Sequence, residues 1–167
     1  MTEQVNHPRH YNARKDGLEC IDIIRHYTFN IGCAIKYLWR AGVKVEMGKS
    51  NREKEIEDLR KALFYINDYC GHNLGIYDNE IHIVDLMAYV RTITGYSIQE
   101  ISGSYADGET SASIYPPTVT TALLALLTVG LTVNGYCYIV PDWRSRLETA
   151  KGAILKRIEK LKAKTDY

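Results

Sequence analysis

The chain has 167 residues, a length that suits one ordinary domain with a real hydrophobic core. Hydrophobic residues make up 46% of it and charged residues 25%, as in a soluble globular protein, and the formal charge of +1 excludes a global electrostatic pull toward nucleic acid or membranes. The charge is unevenly distributed, because residues 71–140 carry 1 Lys or Arg against 6 Asp and Glu.

The N-terminal segment predicts an extended arm with a turn. Residues 1–17 contain Pro8, Asn12 and Gly17 and show no helical period. The stretch VNHPRHYN within it is nevertheless dense in side chains that bind ligands. The segment has no apolar signal region, and the four cysteines form no CxxC pair, so we expect free thiols in a reducing cytoplasm.

A first helix is predicted over Leu18–Tyr27, and a helical hairpin follows it. Asn30 can cap the first helix of the hairpin, in which apolar residues repeat at the spacing of one face. Lys36 and Arg40 are four residues apart and therefore project together from a neighbouring face.

A short basic loop connects the two helices of the hairpin. Gly42 stands where a helix commonly ends in a left-handed residue, and Lys44 adds positive charge after it. The second helix opens after Ser50-Asn51, either of which can cap it, and Glu55 and Asp58 lie along one edge of its apolar seam. The seam consists of Ile56, Leu59, Leu63 and Ile66. Cations on one helix should thus face carboxylates on its neighbour.

The remaining half of the chain also predicts helices. One helix is predicted over Glu80–Thr94, with Asn79 as its cap and Gly95 at its end, and a short helix follows within TGYSIQEISG. Two more are predicted, one over about Thr118–Val133 and a last one from Pro141-Asp142 to about Ala163. The apolar run from Ala122 is too short to span a bilayer, so we expect no membrane partner. The predicted class is all-α, a compact domain of about six helices, with a short β-hairpin near residues 136–140 as the alternative to an extended piece there.

Four ordered motifs, VNHPRHY, GLECIDII, IGCAIKYLWRAG and EIEDLRKALFYI, carry a family resemblance. Over residues 5–69 the chain resembles a small phage-encoded domain whose characterised representative is a nucleotide kinase that phosphorylates deoxynucleoside monophosphates without a P-loop. The sequence departs from that pattern at Cys33, where the family usually has Asn. The resemblance implies a kinase-like region over residues 1–72 in the host-cell cytoplasm, and we predict that residues 73–167 are a helical elaboration of the same domain.

Carried over by position, the resemblance marks these residues: His7, His10, Tyr11, Glu19, Asp22, Lys36, Arg40, Lys44, Asp58 and Lys61. Lys36, Arg40 and Lys44 can bind phosphate, the two histidines can add donors, and Tyr11 can stack on a base. The alternative for Lys36 and Arg40 is a solvated face or salt bridges to Glu55 and Asp58.

Paired carboxylates provide a candidate metal site. Glu19 and Asp22 share one face of the first helix, as Glu55 and Asp58 do on the third, a geometry able to hold Mg²⁺ against phosphate. The arrangement is similar in outline to the MazG-type nucleotide pyrophosphohydrolases. Ordinary capping and ion pairing is the alternative for all four. In the kinase interpretation Asp22 or Asp58 is catalytic, positioning Mg²⁺ or the acceptor.

Three functions fit the sequence. The first is phosphoryl transfer to deoxynucleoside monophosphates; the second is sequestration of a nucleotide, or of a nucleotide-derived host-defence signal, without turnover. The third is a structural protein that oligomerises. We expect self-association in every case, because one layer of helices leaves faces to cover. We expect no DNA partner, because the acidic middle of the chain lacks cations for phosphate contacts.

Overall fold

A computed structural model gives the architecture and describes residues 8, 11, 14, 16–72, 79–104 and 115–163. Within these residues it contains seven helices and a small three-stranded sheet. The elements are α1 Cys20–Ile24, α2 Phe29–Arg40, α3 Asn51–His72, β1 Asn79–Glu80, α4 Ile83–Thr94, α5 Ile98–Ser102, α6 Pro117–Leu126, β2 Leu131–Val133, β3 Tyr136–Ile139 and α7 Trp143–Lys162. The predominantly helical part of the prediction is confirmed, but the sheet means that the chain is not purely all-α.

The predicted helical hairpin is α2 and α3, and its glycine after α2 and its Ser50 cap are confirmed. Gly42 follows α2 with a left-handed φ of 77°. Ser50 caps α3 reciprocally: its Oγ accepts from Glu53 N at 3.2 Å, while a Glu53 carboxylate oxygen accepts from Ser50 N at 2.8 Å. Asn30 is not the cap of α2, because its side chain instead donates to Asp68 Oδ2 on α3 at 2.8 Å.

The predicted helix over Thr118–Val133 is wrong after Leu126. Gly130 leaves the helical conformation with a φ of 69°, and its carbonyl accepts from Thr28 N at 2.8 Å. Thr132 N then donates to His26 O at 2.7 Å, so the chain is drawn against the segment between α1 and α2. Leu131–Val133 forms β2, which pairs antiparallel with β3 through the Asn134-Gly135 turn. The β-hairpin predicted near residues 136–140 is therefore present, and its first strand begins earlier, at Leu131.

The helix predicted from Glu80 begins only at Ile83. Asn79 and Glu80 instead form β1, which pairs parallel with β3 and gives the strand order β1-β3-β2. His82 takes the cap position, with Nδ1 accepting from Val84 N at 3.4 Å. Pairing with β3 therefore takes precedence over the preference of Asn79 for a helix cap.

One hydrophobic cluster joins the two halves of the described chain. The last helix, α7, packs on α6 and on α3, and it buries Leu147, Ile154 and Ile158. No helix in the described ranges combines the length and apolar character needed to cross a membrane.

Candidate functional site

Tyr11 contacts the C-terminal half of α2. Its carbonyl accepts from Trp39 Nε1 at 3.1 Å, and its hydroxyl accepts from Arg40 Nη1 at 3.1 Å. The Lys36 ammonium lies 5.6 Å from the centre of its ring, a cation–π distance. Three of the residues predicted to bind a nucleotide, Tyr11, Lys36 and Arg40, therefore come together.

The Arg40 side chain points into the protein and not into solvent. It is 7% exposed, and Nη2 donates to Asp58 Oδ1 on α3 at 2.8 Å. Its guanidinium also lies 4.6 Å from the centre of the Tyr37 ring. The salt bridge that the sequence offered as the alternative for Arg40 is thus present, and the opposition of a cation on α2 to a carboxylate on α3 is confirmed.

Lys54 is a second buried cation at the same carboxylate, and it was not among the predicted site residues. Its ammonium lies 2.9 Å from Asp58 Oδ1, the oxygen that Arg40 also contacts. Lys54 is 1% exposed and Asp58 is 0% exposed. Within the described residues, Asp58 Oδ2 and Arg40 Nε are buried without a hydrogen-bond partner. The signal was available, because Lys54 and Asp58 are four apart and share a helix face.

Basic side chains outnumber carboxylates around the buried Asp58 and its two cations. A second layer of ion pairs surrounds them, in which Glu57 accepts from Lys49 at 2.6 Å, from Lys54 at 3.2 Å and from Lys61. We call the whole group the cationic cluster; it consists of the cations Lys36, Arg40, Lys44, Lys49, Lys54 and Lys61 and the carboxylates Glu46, Glu57 and Asp58. Six cations against three anions leave a net positive site.

One acid and one base of the cationic cluster both have a lowered pKa. Hydrogen bonds from Lys49, Lys61 and Lys54 hold the pKa of Glu57 well below its usual range. Desolvation and the charges of Arg40 and Lys54 lower the pKa of Lys44. Lys44 is therefore a cation that its surroundings do not fully neutralise. An anion placed beside it would be stabilised by the same field.

The four carboxylates predicted to bind metal do not fit a magnesium site. Asp22 is exposed and pairs with Arg25 at 2.8 Å, and both oxygens of Glu55 accept from Arg157. Asp58 is shared by two cations, and Glu19 precedes α1 without a side-chain capping bond. Across residues 16–72, 79–104 and 115–163, together with 8, 11 and 14, no three His, Cys, Asp or Glu side chains converge as metal ligands would.

Arg14 is a further residue that the sequence analysis did not single out. It is buried and donates to the carbonyls of Glu100 and Ile101, both at 2.7 Å, near the C-terminal end of α5. Its hydrogen bonds to Asp16 lower the pKa of that carboxyl. Arg14 and Tyr11 are thus both held by hydrogen bonds to the helices. His7 and His10, the other predicted ligands in the arm, lie outside the described residues.

Comparison with known proteins gives one family. A family model described as a protein of unknown function, DUF3310, matches residues 5–67, a segment that contains α1, α2 and most of α3. No curated protein and no solved structure matches the chain.

Proposed function

We propose that this protein binds deoxynucleoside monophosphates at the cationic cluster and transfers a phosphoryl group to them. The observation that carries the proposal is the excess of positive charge beside Tyr11. Lys36 and Lys44 form no ion pair with any carboxylate among the described residues, although both belong to the cluster. A phosphate group would supply the missing negative charge. The resemblance of the four motifs to the phage nucleotide kinase domain supports the same ligand.

In this proposal the side chains of the cationic cluster have different roles. Lys36 and Lys44 contact phosphate as mobile point charges. Arg40 is committed to Asp58 and to the Tyr11 hydroxyl, so it positions Tyr11 and adds to the field without being a direct ligand. The Tyr11 ring, with Lys36 beside it, can then cap the base or the sugar.

The proposed reaction needs little acid–base chemistry from the protein. An oxygen of the acceptor monophosphate attacks the terminal phosphorus of a nucleoside triphosphate, the bond to the bridging oxygen breaks, and two nucleoside diphosphates result. The acceptor is a phosphate monoester with a second pKa of about 6, so it is largely ionised at neutral pH without a general base. Catalysis of this step rests mainly on positioning and charge stabilisation. The burial of Asp58 between two cations is compatible with it, and the catalytic roles of Asp22 and Asp58 stay predictions.

Sequestration without turnover is the second candidate. The observation in its favour is that Glu19, Asp22, Glu55 and Asp58 do not gather into a site for Mg²⁺. A protein that only holds a nucleotide needs the cations and the arm, and it needs no metal.

The test combines binding and product analysis. The protein is incubated with each deoxynucleoside monophosphate, with and without ATP and Mg²⁺, while its melting temperature is recorded and the nucleotides are separated afterwards. A rise in melting temperature with a new diphosphate supports the kinase. A rise with complete recovery of unchanged monophosphate supports sequestration. No shift and no diphosphate with any of the four monophosphates overturns the kinase, and it also overturns sequestration of these monophosphates.

Paired variants locate the binding site. K36A and K44A should each raise the Kd for the monophosphate about tenfold, the effect of losing one charge-assisted contact. The control is K156A/K160A, which removes two exposed lysines from α7 and leaves the cationic cluster intact. Equal affinity in all three variants would place the ligand elsewhere.

A further inference from the structure

Both phenylalanines of the chain lie on the outer face of the α2–α3 hairpin. Phe29 is 75% exposed and Phe64 is 64% exposed, although these are the only two phenylalanines in the sequence. Each ring meets Tyr65 edge-on, at centroid distances of 6.0 and 5.3 Å, and Tyr65 stacks on Tyr37 at 5.7 Å. We call Phe29, Tyr37, Phe64 and Tyr65 the aromatic patch. Such contiguous exposed apolar surface is typical of an interaction site.

Phe64 lies at the middle of the exposed stripe of α3. Arg60, Phe64, Asn67 and Gly71 are all exposed and recur at the spacing of one helix face. Arg60 forms no ion pair with another described residue. The Asp68 side chain, next to the stripe, remains 39% exposed while its Oδ2 accepts from Asn30 and its Oδ1 lies 3.2 Å from His72 Nδ1.

We propose that the aromatic patch binds a second copy of this chain, with the two α3 helices antiparallel about a two-fold axis at Phe64. In that arrangement residues equally far before and after Phe64 face each other, so Phe64 meets its own counterpart. Arg60 and Asp68 are each four residues from Phe64. Each Arg60 therefore faces Asp68 of the second copy, and the contact occurs twice because the interface is isologous.

The charges select this orientation over the parallel one. In a parallel pairing Arg60 would face Arg60 and Asp68 would face Asp68, which places like charges together. In the antiparallel register Lys61 faces Asn67 and Glu57 faces Gly71, so no like charges meet. Arg60 and Asp68 are thus complementary across the two copies in one orientation only.

A second copy fits the aromatic patch better than a nucleotide base does. The Tyr37 ring has the Arg40 guanidinium at 4.6 Å, the Lys61 ammonium at 5.7 Å and the Tyr65 ring at 5.7 Å. Neighbours already occupy it, so it offers little open face for stacking. The exposed parts of the patch are the outer surfaces of Phe29 and Phe64, which suit a broad protein surface.

Charge-reversal variants give a sharp test. The full-length chain is followed by sedimentation velocity from about 1 to 100 µM, a range in which dimers of micromolar Kd dissociate. The wild type should dimerise, and F64D, R60D and D68R should each raise the dimer Kd at least tenfold. Their circular dichroism should be unchanged, since these side chains are on the surface. K156D on α7 is the control and should dimerise like the wild type.

Mixing the variants tests the register itself. R60D places two carboxylates together at each contact, and D68R places two arginines together, so each homodimer is weakened. A one-to-one mixture of the two pairs a carboxylate with an arginine at both contacts, and it should recover the wild-type dimer. A monomeric wild type at 100 µM, unweakened variants, or a mixture no better than its components would each overturn the proposal.

Discussion

Arg157 holds Glu55 with two hydrogen bonds across 102 positions of sequence, from Nε to Oε1 at 2.7 Å and from Nη2 to Oε2 at 3.2 Å. The two side chains are largely buried, and they fasten α7 to α3 one turn before Asp58. Gly42 lies against the same carboxylate, because a Cβ added there would come 3.3 Å from Glu55 Oε2. The C-terminal helix is therefore attached directly to the hairpin and beside the loop that leaves α2.

Loss of Arg157 should be costly. The substitution R157L leaves Glu55 buried without its cation, so we expect the free energy of unfolding to fall by about 2–4 kcal/mol. The double variant E55L/R157L removes both charges and should recover most of that loss. Urea denaturation monitored by circular dichroism measures the free energy of unfolding of both variants. The control K162A breaks the exposed Lys162–Glu159 pair and should change stability by less than about 0.5 kcal/mol. Similar values for R157L and K162A would contradict a stabilising role for the buried pair.

The pairing of Arg40 and Lys54 on one oxygen of Asp58 leads to a second prediction. D58N leaves two buried cations facing a neutral amide, and we expect a loss of about 3–5 kcal/mol in the free energy of unfolding. Replacing Lys54 as well, in D58N/K54M, removes one of the uncompensated charges and should return part of the stability, which a double-mutant cycle quantifies. D85N, at an exposed carboxyl of α4, is the control. If D58N costs no more than D85N, the buried pair does not stabilise the fold.

Acid should weaken the ion pairs that Glu57 forms within the cationic cluster. Three lysines hold the pKa of Glu57 below its usual value of 4.5, so the folded state binds this proton less readily than the unfolded state does. The resulting stabilisation is present above the unfolded pKa, and it is lost as the pH falls below about 5 toward the folded pKa. The difference in unfolding free energy between the wild type and E57Q should therefore be constant near neutral pH and shrink in acid.

The control for this pH dependence is E80Q. Glu80 is exposed on β1 and forms no ion pair within the described part of the chain, so the variant should stay close to the wild type throughout. High salt should also reduce the stability difference between the wild type and E57Q, because the ion pairs of Glu57 are partly open to solvent. A difference between the wild type and E57Q that persists unchanged in acid would refute this assignment.

The hairpin could be predicted from the sequence because its signals are local. The apolar spacing, the glycine after α2 and the Ser50 cap all act within a few residues. The buried ion pairs could not be predicted in the same way. Lys54 reads as a surface residue because lysines are rarely buried, and its spacing of four from Asp58 does not reveal that both side chains are buried beside Arg40 of α2. Arg157 and Glu55 share no sequence pattern at all.

The C-terminal elements differ from prediction for a related reason. A short apolar run can be a helix or a buried strand, and its periodicity does not decide between them. For residues 127–133 the deciding contacts come from Thr28 and His26, about a hundred positions earlier. The aromatic patch shows the same limit, because the sequence places Phe29 and Phe64 on separate helices and only the packing of α2 on α3 brings both to Tyr65.

Gly130 is the position where this long-range packing can be tested most directly. Its φ of 69° disfavours any side chain, and an added Cβ would lie 2.6 Å from Thr28 Oγ1 and 3.0 Å from Ile31 Cγ1. G130A should therefore lower the free energy of unfolding by roughly 2–4 kcal/mol, through backbone strain and a clash with α2. Gly135 separates the two causes: its φ is 81°, but an added Cβ would meet nothing within 4 Å, so G135A should show the strain alone, about 1 kcal/mol. Thermal and urea unfolding of the two variants give the difference. Equal losses would mean that the turn after α6 does not depend on its contact with Thr28.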